Sequence, residues 1–495
     1  MNQQPQLSFD NSYAALPDRF FARQEPTPVS KPGLIRINHA LAERLGIDPA
    51  WLESEAGIEV LAGNRLPEGA SPIAAAYAGH QFGGWNPQLG DGRAVLLGEI
   101  LTQDNVRYDF QLKGSGPTPW SRGGDGRAPI GPVLREYVLS EAMAVLGVPT
   151  TRALGAVTTG DTVIRNDIQP GAVLARVASS HIRIGTFQYF AARSDTEALQ
   201  VLVDHVIARH YPQAADAQNP CHAMLDCAIR QQAELIAKWQ ALGFIHGVMN
   251  TDNMLLSGET VDYGPCAFMD AFDPDKVFSS IDTGGRYAYR KQPGIAHWNL
   301  SNLAQTLLPL LAEEEDTAIA LAQASIDAFP DLFLNAHQRE MSRKLGLSEP
   351  GNGDERLIQD LVTLMADEKT DFTLTFRRLA DLAAPGENAT GEVSQLFTMP
   401  DAFTEWINRW QERLNLDPLS APERQASMYN ANPVFIPRNH LVEEVIRAAV
   451  YDNDLAPFHT LVNTLESPFE YRPELAKFAV PATPEQVVTQ TFCGT

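Results

Sequence analysis

Hydrophobic residues are arranged differently in the first 195 residues and in the rest of the chain. The first part contains short runs rich in Val, Ile, Leu, Tyr and Phe and bounded by Gly, Asp and Asn, a pattern typical of β-strands. These runs cover residues 93–101, 105–114, 153–159, 161–166 and 171–178. Residues 132–147 instead space apolar side chains at helical intervals, with Pro132 near the start and Gly147 at the end. The pattern predicts a β-rich part interrupted by one helix.

After residue 195 the apolar residues recur at i, i+3 and i+4, the spacing of amphipathic helices. Long stripes of this kind start near residues 196, 222 and 300, and further helices are expected at 353–367, 400–413 and 440–451. A strand-rich part followed by a larger helical part predicts an α+β fold with two lobes, residues 1–195 and 196–495. The cleft between two lobes is a preferred place for a ligand.

The charge of the chain limits its partners. It has 495 residues, with 38 Lys and Arg against 61 Asp and Glu, and a formal net charge of −23. Such acidity argues against DNA or RNA as the main partner but allows a small anion in a local basic pocket. There is no basic segment followed by an apolar run at the N-terminus and no stretch of 18 apolar residues. We expect a cytoplasmic protein without a membrane partner, and a monomer.

Two glycine-rich segments could surround a nucleotide. Residues 77–99 include Gly90, Gly92 and Arg93 just before a predicted strand. Glycines let the backbone approach a phosphate or a base closely, and an arginine can pair with phosphate. A plain tight turn before a strand would explain the same glycines.

The second segment, residues 111–132, places Lys113 at the end of a predicted strand, ahead of a loop with Asp125 and Gly126. Glu136 follows 23 residues after Lys113, on the first turn of the predicted helix. A strand lysine that holds phosphates and is oriented by a helix glutamate is the arrangement of protein kinases. The alternative is a solvated surface lysine.

Arg176 lies between apolar residues of a predicted strand, and Arg183 follows seven residues later. A buried guanidinium without an anion is costly. Arginine forks match phosphate oxygens well, but a carboxylate of the protein would serve equally.

Residues 243–274 contain the most specific pattern. His246 and Asn253 have the spacing of the kinase catalytic loop, and the sequence Asp262-Tyr263-Gly264 resembles the Asp-Phe-Gly metal motif. The intervening residues predict a hairpin that turns at 257–259 and brings Asn253 close to Asp262. An amide oxygen and a carboxylate suit Mg²⁺ or Mn²⁺, although two ordinary Asn/Asp turns would also explain the residues.

The pattern also departs from that of a kinase. Two residues after the histidine, where a kinase has its catalytic aspartate, the chain has Val248. A valine cannot accept a proton from a hydroxyl group. Asp252 is the nearest carboxylate that could replace the missing base.

Several long strings together resemble the selenoprotein O family: YAGHQFGGWNPQLGDGRA, QLKGSGPTPWSRGGDGRA, RVASSHIRIGTFQ, HGVMNTDNM and DYGPCAFMD. The resemblance runs from near residue 8 to about residue 300. It implies a protein-kinase-like two-lobe fold that transfers AMP from an inverted ATP to Ser, Thr or Tyr hydroxyls of proteins. UMP transfer with Mn²⁺ is also attributed to this family.

The resemblance implies a role for each candidate residue. Lys113, paired with Glu136, contacts phosphate, and Asp252 is the base. Asn253 and Asp262 hold the metal. The remaining nucleotide-site residues are Gly90, Gly92, Arg93, Asp125, Gly126, Arg176 and Arg183.

Cys266 and Cys493 are the last candidates. The family commonly has Cys or selenocysteine near the C-terminus, which implies a disulfide between the tail and the segment after Asp262 as a redox control. Two unrelated thiols remain the alternative. For the protein as a whole, a kinase-like phosphotransferase and a catalytically inert pseudokinase scaffold remain the alternatives to an AMP transferase.

Overall fold

The structure is a computed structural model that describes residues 7–384 and 390–492. It is an α+β protein. The strands are β1 (Phe21–Arg23), β2 (Gly33–Ile37), β3 (Ile73–Ala75), β4 (Gly79–Gln81), β5 (Gly84–Asn86), β6 (Ala94–Leu101), β7 (Arg107–Lys113), β8 (Ala128–Pro129), β9 (Arg152–Ile164), β10 (Ile168–Ala178), β11 (Phe244–Ile245) and β12 (Ala267–Phe268).

The helices alternate with the strands at first and then dominate the second part of the chain. They are α1 (His39–Arg44), α2 (Pro49–Leu52), α3 (Glu55–Ala62), α4 (Ile130–Val145), α5 (Ile184–Ala191), α6 (Thr196–His210), α7 (Pro220–Ala241), α8 (Gln292–Leu311), α9 (Glu315–Asp327), α10 (Phe329–Lys344), α11 (Asp354–Glu368), α12 (Phe372–Leu382), α13 (Thr390–Ser394), α14 (Pro400–Asn415), α15 (Ala421–Ala431), α16 (Asn439–Tyr451) and α17 (Ala456–Leu465).

One antiparallel sheet carries the candidate cations. Its strand order is β1-β3-β6-β7-β10-β9-β2, and β8 pairs with β10. In the β7–β10 pair, Lys113 lies opposite Leu174 and Gln111 lies opposite Arg176. Because side chains alternate between faces along a strand, Gln111, Lys113 and Arg176 share one face of the sheet.

Helix α4 lies against this sheet and holds Glu136. Most of its residues are buried, on all sides of the helix. Its apolar side chains form one core with residues of β9 and β10 on one side and with α16 and α17 on the other. A helix that is covered on several sides cannot shift without exposing apolar surface, so the position of Glu136 is fixed by packing.

Three expectations from the hydrophobic pattern were wrong. Residues 7–195, the described part of this region, contain five α-helices instead of one. Residues 153–159 and 161–164 belong to a single strand, β9, in which Gly160, with φ = +75°, lies at an irregularity in the pairing with β10. Residues 165 and 166 lie beyond its end. The stripe near residue 300 divides into α8 and α9, where an acidic run supplies the first turn of the second helix.

The predicted hairpin between Asn253 and Asp262 is also wrong. A turn does occur there, with the Gly258 N–H bonded to the Leu255 oxygen at 3.1 Å. Its two arms do not pair with each other, however: Leu255 bridges to Arg183 and Thr260 bridges to Thr150. The other predicted helices agree with α4, α6, α7, α11, α14 and α16 to within about two residues at nearly every end. None of the helices among the described residues is long and apolar enough to cross a membrane.

Candidate active site

A cavity of about 590 Å³ lies between the sheet, α4 and the loop that follows β11. Its volume is in the range of small-molecule sites. The candidate residues that line it are Gly90, Gly92, Arg93, Lys113, Asp125, Gly126, Glu136, Arg176, Arg183, Asp252, Asn253 and Asp262. Val248 lines it as well. Residues from distant parts of the sequence therefore meet at one site.

Lys113 and Arg176 are bound to the same two carboxylates. Lys113 Nζ lies 2.6 Å from Glu136 Oε2 and 2.7 Å from Asp262 Oδ1. Arg176 Nη1 lies 3.0 Å from Glu136 Oε1 and 2.7 Å from Asp262 Oδ1. The guanidinium of Arg176 also donates two hydrogen bonds to Gln111 Oε1, at 2.6 and 3.1 Å. Both cations are buried, so their charge needs these anions.

Arg183 brings a third cation to Asp262. Its Nη1 lies 2.8 Å from Asp262 Oδ2 and also donates to the backbone oxygen of Asp252. Its guanidinium lies over the ring of Tyr77, 4.8 Å from the ring centre. Arg183 thus connects the two aspartates. Three cations surround the carboxylates of Glu136 and Asp262, and a further buried carboxyl, Asp91, lines the same cavity.

Asp262 has an unusual backbone and an unusual acidity. Its φ is +63°, a left-handed value that is uncommon for a residue other than glycine. Burial alone would raise the pKa of its carboxyl, but the charges of Lys113, Arg183 and Arg176 hold it well below the usual range. The Asp262 carboxyl is therefore ionised. Its left-handed backbone is a strained conformation of the kind that functional sites often contain.

Asp252 has the opposite environment. The Asp252 carboxylate forms no ion pair among the described residues, and its Oδ2 accepts a 3.1 Å hydrogen bond from the side-chain amide of Gln81. Its Oδ1 is buried and has no hydrogen-bond partner among the described residues. Burial is the main cause that raises the pKa of Asp252 to about 6. A carboxylate with a raised pKa in a cleft has the properties of a general base.

The loop that carries Asp252 is fixed by His246 and Asn253. The buried ring of His246 lies between the Val261 oxygen at 2.8 Å and the Val248 N–H at 3.3 Å, and burial lowers its pKa. It therefore links the loop to the segment of Asp262 as a neutral ring. The amide nitrogen of Asn253 donates to the Val248 oxygen at 2.9 Å.

The site has donors that fit a hard divalent ion. Because the Asn253 nitrogen is engaged by the backbone, its side-chain oxygen is the atom that remains for a ligand. Asn253 and Asp262 line the same cavity and offer an amide and a carboxylate oxygen. Across the described ranges there is no group of three or more His, Cys, Asp or Glu residues that could hold a metal by themselves. Substrate oxygens and water would have to complete the coordination, as is usual for Mg²⁺ with phosphates.

The glycines permit close packing of the two loops at the cavity. A Cβ on Gly90 would lie 2.4 Å from the Trp120 side chain, and one on Gly126 would lie 2.0 Å from the Gly116 oxygen. A larger residue at position 90 would push the two loops apart, and one at position 126 would distort the second loop, to which Gly116 also belongs.

Sequence reasoning missed several residues of the site. Arg127 and Arg165 also line the cavity, and Arg165 binds Asp125 with both terminal nitrogens at 2.9 and 3.0 Å. The hydrogen bonds from Arg165 hold the pKa of Asp125 below its usual value. Arg127 and Gln81 stand in the quoted strings QLKGSGPTPWSRGGDGRA and YAGHQFGGWNPQLGDGRA, although no role was expected for either. Arg165 carried no signal, because its partner Asp125 is 40 residues away in the sequence.

Of the two candidate cysteines, Cys266 is buried and Cys493 lies outside the described residues. No disulfide is present in the part of the chain that the structure describes. Thr491, two residues before Cys493, is buried, and its hydroxyl donates to the Pro265 oxygen at 2.5 Å.

Comparison with known proteins identifies the family. A family model described as protein adenylyltransferase SelO matches residues 3–466. The chain belongs to the SelO family. The resemblance expected from the sequence strings is confirmed.

The relatives of this SelO-family chain are similar over their whole length. A protein from Bradyrhizobium diazoefficiens, named protein nucleotidyltransferase YdiU, is 59% identical over 487 residues, which cover 98% of this chain and 99% of the relative. Proteins of the same name are 58% identical in Rhodopseudomonas palustris strain BisB5, over 487 residues, and in Methylorubrum populi, over 492 residues, with the same shares of each chain. The chain is thus a nucleotidyltransferase enzyme, and its family implies ATP as the nucleotide substrate.

Proposed function

We propose that this enzyme transfers AMP from ATP to the hydroxyl groups of Ser, Thr or Tyr residues in other proteins. One observation carries the proposal: Lys113, Arg176 and Arg183 all bind Asp262 within 2.8 Å inside one cavity. A nucleoside triphosphate carries enough negative charge on its phosphates to pair with three buried cations. We also propose that residues 1–195 and 196–495 are the two lobes of a protein-kinase-like fold, which the Lys113–Glu136 pair supports.

We propose that ATP binds in the inverted orientation, with its terminal phosphates at the buried cations. Arg176 and Arg183 are both 2% exposed and would neutralise the β- and γ-phosphates. The α-phosphate would then lie nearer the loop of Asp252. Arg93, Asp125 and the glycines of the two loops would contact the rest of the nucleotide.

In the transfer step, the acceptor hydroxyl oxygen attacks the α-phosphorus as its proton passes to the Asp252 carboxylate. The bond between the α-phosphorus and the oxygen bridging to the β-phosphate breaks, and pyrophosphate leaves. Lys113, Arg176 and Arg183 stabilise the negative charge that develops on this leaving group. Positioning and electrostatics supply most of the acceleration in such reactions.

We propose that Asn253 and Asp262 hold Mg²⁺ or Mn²⁺. When bound, the ion would offset the charge of the phosphate oxygens. The chain's own contribution is the fixed Asn253 amide and the Asp262 carboxylate, which would exchange one or more of its cation partners for the ion while the phosphates take up those cations.

The test of the proposal uses ATP labelled at either the α- or the γ-phosphate, with casein as the acceptor protein. Label from the α position alone on protein is the expected result. Transfer of γ-label would show phosphotransfer instead, and an absence of both labels on protein would contradict transfer to protein hydroxyls. Asp252→Asn should lower α-label transfer by about 10²- to 10⁴-fold. The same assay with α-labelled UTP measures the proposed UMP transfer.

We propose in addition that Cys266 and Cys493 form a redox control. Support comes from the position of the tail: Thr491 binds the oxygen of Pro265, the residue before Cys266. Reducing agent should change the transfer rate of the wild-type enzyme and should leave that of Cys493→Ser unaltered. Equal redox sensitivity of the wild-type enzyme and of Cys493→Ser would contradict this redox control.

A further inference from the structure

The hairpin formed by β4 and β5 rests on the loop that carries Asp252. The N–H of His80 donates to the Thr251 hydroxyl at 2.7 Å, and the N–H of Phe82 donates to the side-chain oxygen of Asn250 at 3.0 Å. Between these two anchors, the side chain of Gln81 reaches Asp252 Oδ2 at 3.1 Å. Three successive hairpin residues therefore contact three successive loop residues.

These anchors are themselves fixed from the other side. The Thr251 hydroxyl donates to Gln188 Oε1 at 2.6 Å, and the Tyr287 hydroxyl donates to Asn250 Oδ1 at 2.6 Å. Gln188 and Tyr287, which also bind Thr251 and Asn250, are both buried. The hairpin therefore cannot slide along the loop without breaking several buried hydrogen bonds. The position of Gln81 is therefore determined by the fold.

The other oxygen of Asp252 meets the backbone of the same hairpin. A Cβ added to Gly79 would lie 2.7 Å from Asp252 Oδ1 and 3.1 Å from the Asp252 Cβ. Oδ1 is buried there without a hydrogen-bond partner among the described residues. The carboxylate is thus held between a glycine on one oxygen and an amide on the other, which leaves it little freedom to rotate.

We propose that Gln81 is a positioning residue for the transfer reaction: its amide, together with the close contact at Gly79, fixes the Asp252 carboxylate in the orientation that receives the acceptor proton. The proposal rests on the proposed function, in which Asp252 is the base. Gln81 would act through Asp252, the nearest carboxylate to Val248, where a kinase has its catalytic aspartate. A small loss of orientation is sufficient to cost a large part of a rate.

The first test measures pyrophosphate release from ATP in the presence of Mg²⁺ and casein. Gln81→Leu removes the donor, and Gln81→Glu keeps the shape but places a second carboxylate beside Asp252. Both should lower kcat by about 10- to 100-fold with little change in the KM for ATP. The matched control is Gln88→Leu, at an exposed glutamine seven residues after the end of β4 whose side chain has no partner among the described residues.

A second pair of variants tests the contact on Oδ1. Gly79→Ala should lower kcat in the same way, because the new methyl group must displace the carboxylate. Gly84→Ala, in the same hairpin, meets nothing closer than 3.4 Å and should retain the wild-type rate. The melting temperature and the affinity for a non-hydrolysable ATP analogue are measured for each variant, so that unfolding is separated from misplacement.

The decisive measurement combines Gln81→Leu with Asp252→Asn, using α-labelled ATP and long incubations. If Gln81 acts through Asp252, the double variant should transfer label at the residual rate of Asp252→Asn alone. The same fold-loss in both backgrounds, or an unchanged kcat for Gln81→Leu, would overturn the proposal while leaving AMP transfer intact. An absence of α-label transfer by the wild-type enzyme would instead overturn the proposed function.

Discussion

The loop of Asp252 and the segment of Asp262 contribute two aspartates to one cavity, yet give them opposite surroundings. Asp262 binds three cations, whose charges hold its pKa well below the usual range. Asp252 binds an uncharged amide, and burial raises its pKa to about 6. Two neighbouring carboxyls whose pKa values are driven apart are characteristic of sites in which each has a different task.

The opposite surroundings of Asp252 and Asp262 suit the two carboxyls to different tasks. A carboxylate that stays ionised among cations can hold a metal ion while its cation partners turn to phosphates. A carboxylate with a raised pKa and few hydrogen bonds can take up a proton. Arg183 contacts both residues, through the Asp262 side chain and the Asp252 backbone, and so keeps the two tasks at a fixed separation.

The largest effect is expected from Asp262→Asn. The variant leaves Glu136 as the remaining ion-pair partner of Lys113 and Arg176, leaves Arg183 without an ion-pair partner among the described residues, and removes the proposed anionic metal donor. We expect α-label transfer to fall by at least about 10³-fold and the free energy of unfolding to fall by roughly 3–5 kcal/mol. Pyrophosphate release and urea denaturation measure the two effects. Asp216→Asn, at an exposed position at the end of the 3-10 helix Pro212–Asp216, is the control, and a D262N enzyme as active as this control would contradict the assignment.

A smaller effect is expected from Arg176→Lys. The charge remains, but the planar group that contacts Gln111, Glu136 and Asp262 at once is lost. We expect kcat/KM for ATP to fall by about 10- to 100-fold, mostly through KM. Exposed Arg230→Lys is the control. If the two variants have the same KM, Arg176 is a structural ion-pair residue instead of a phosphate ligand.

The smallest effect concerns Glu259, on the segment leading to Asp262. It accepts hydrogen bonds from Ser179 and Ser257, and burial raises its pKa to about 7 from 4.5. The folded state therefore binds this proton more tightly than the unfolded state, so the stability it provides is complete below about pH 4.5 and decreases as the pH rises through 7.

The side chain introduced by Glu259→Gln is neutral at every pH. The variant should therefore not lose stability as the pH rises through 7. Relative to wild type, the variant should become more stable by about 1–3 kcal/mol between pH 5 and pH 8. Thermal denaturation at both pH values measures the change, with exposed Glu68→Gln as the control. A constant difference between wild type and E259Q across this range would show that Glu259 does not titrate there.

Much of the fold could be predicted where the periodicity of the sequence is strong. Helices α6, α7, α11, α14 and α16 follow from their apolar stripes. The short helices α1 to α3 were missed because each has too few turns to display a period. The hairpin predicted between Asn253 and Asp262 failed because the arms of its turn find partners elsewhere in the fold.

The sequence by itself determined the family, the types of residue at the site and the presence of a valine at position 248, since these depend only on the order of residues. Only the tertiary structure determined which charged side chains form ion pairs with one another. Nothing in the spacing of Lys113, Arg176 and Arg183 predicts that all three bind Asp262, or that Gln81 binds Asp252 across 171 residues. Such pairings depend on distances in space, and a distance in space is set by the packing of the sheet, α4 and the loop together.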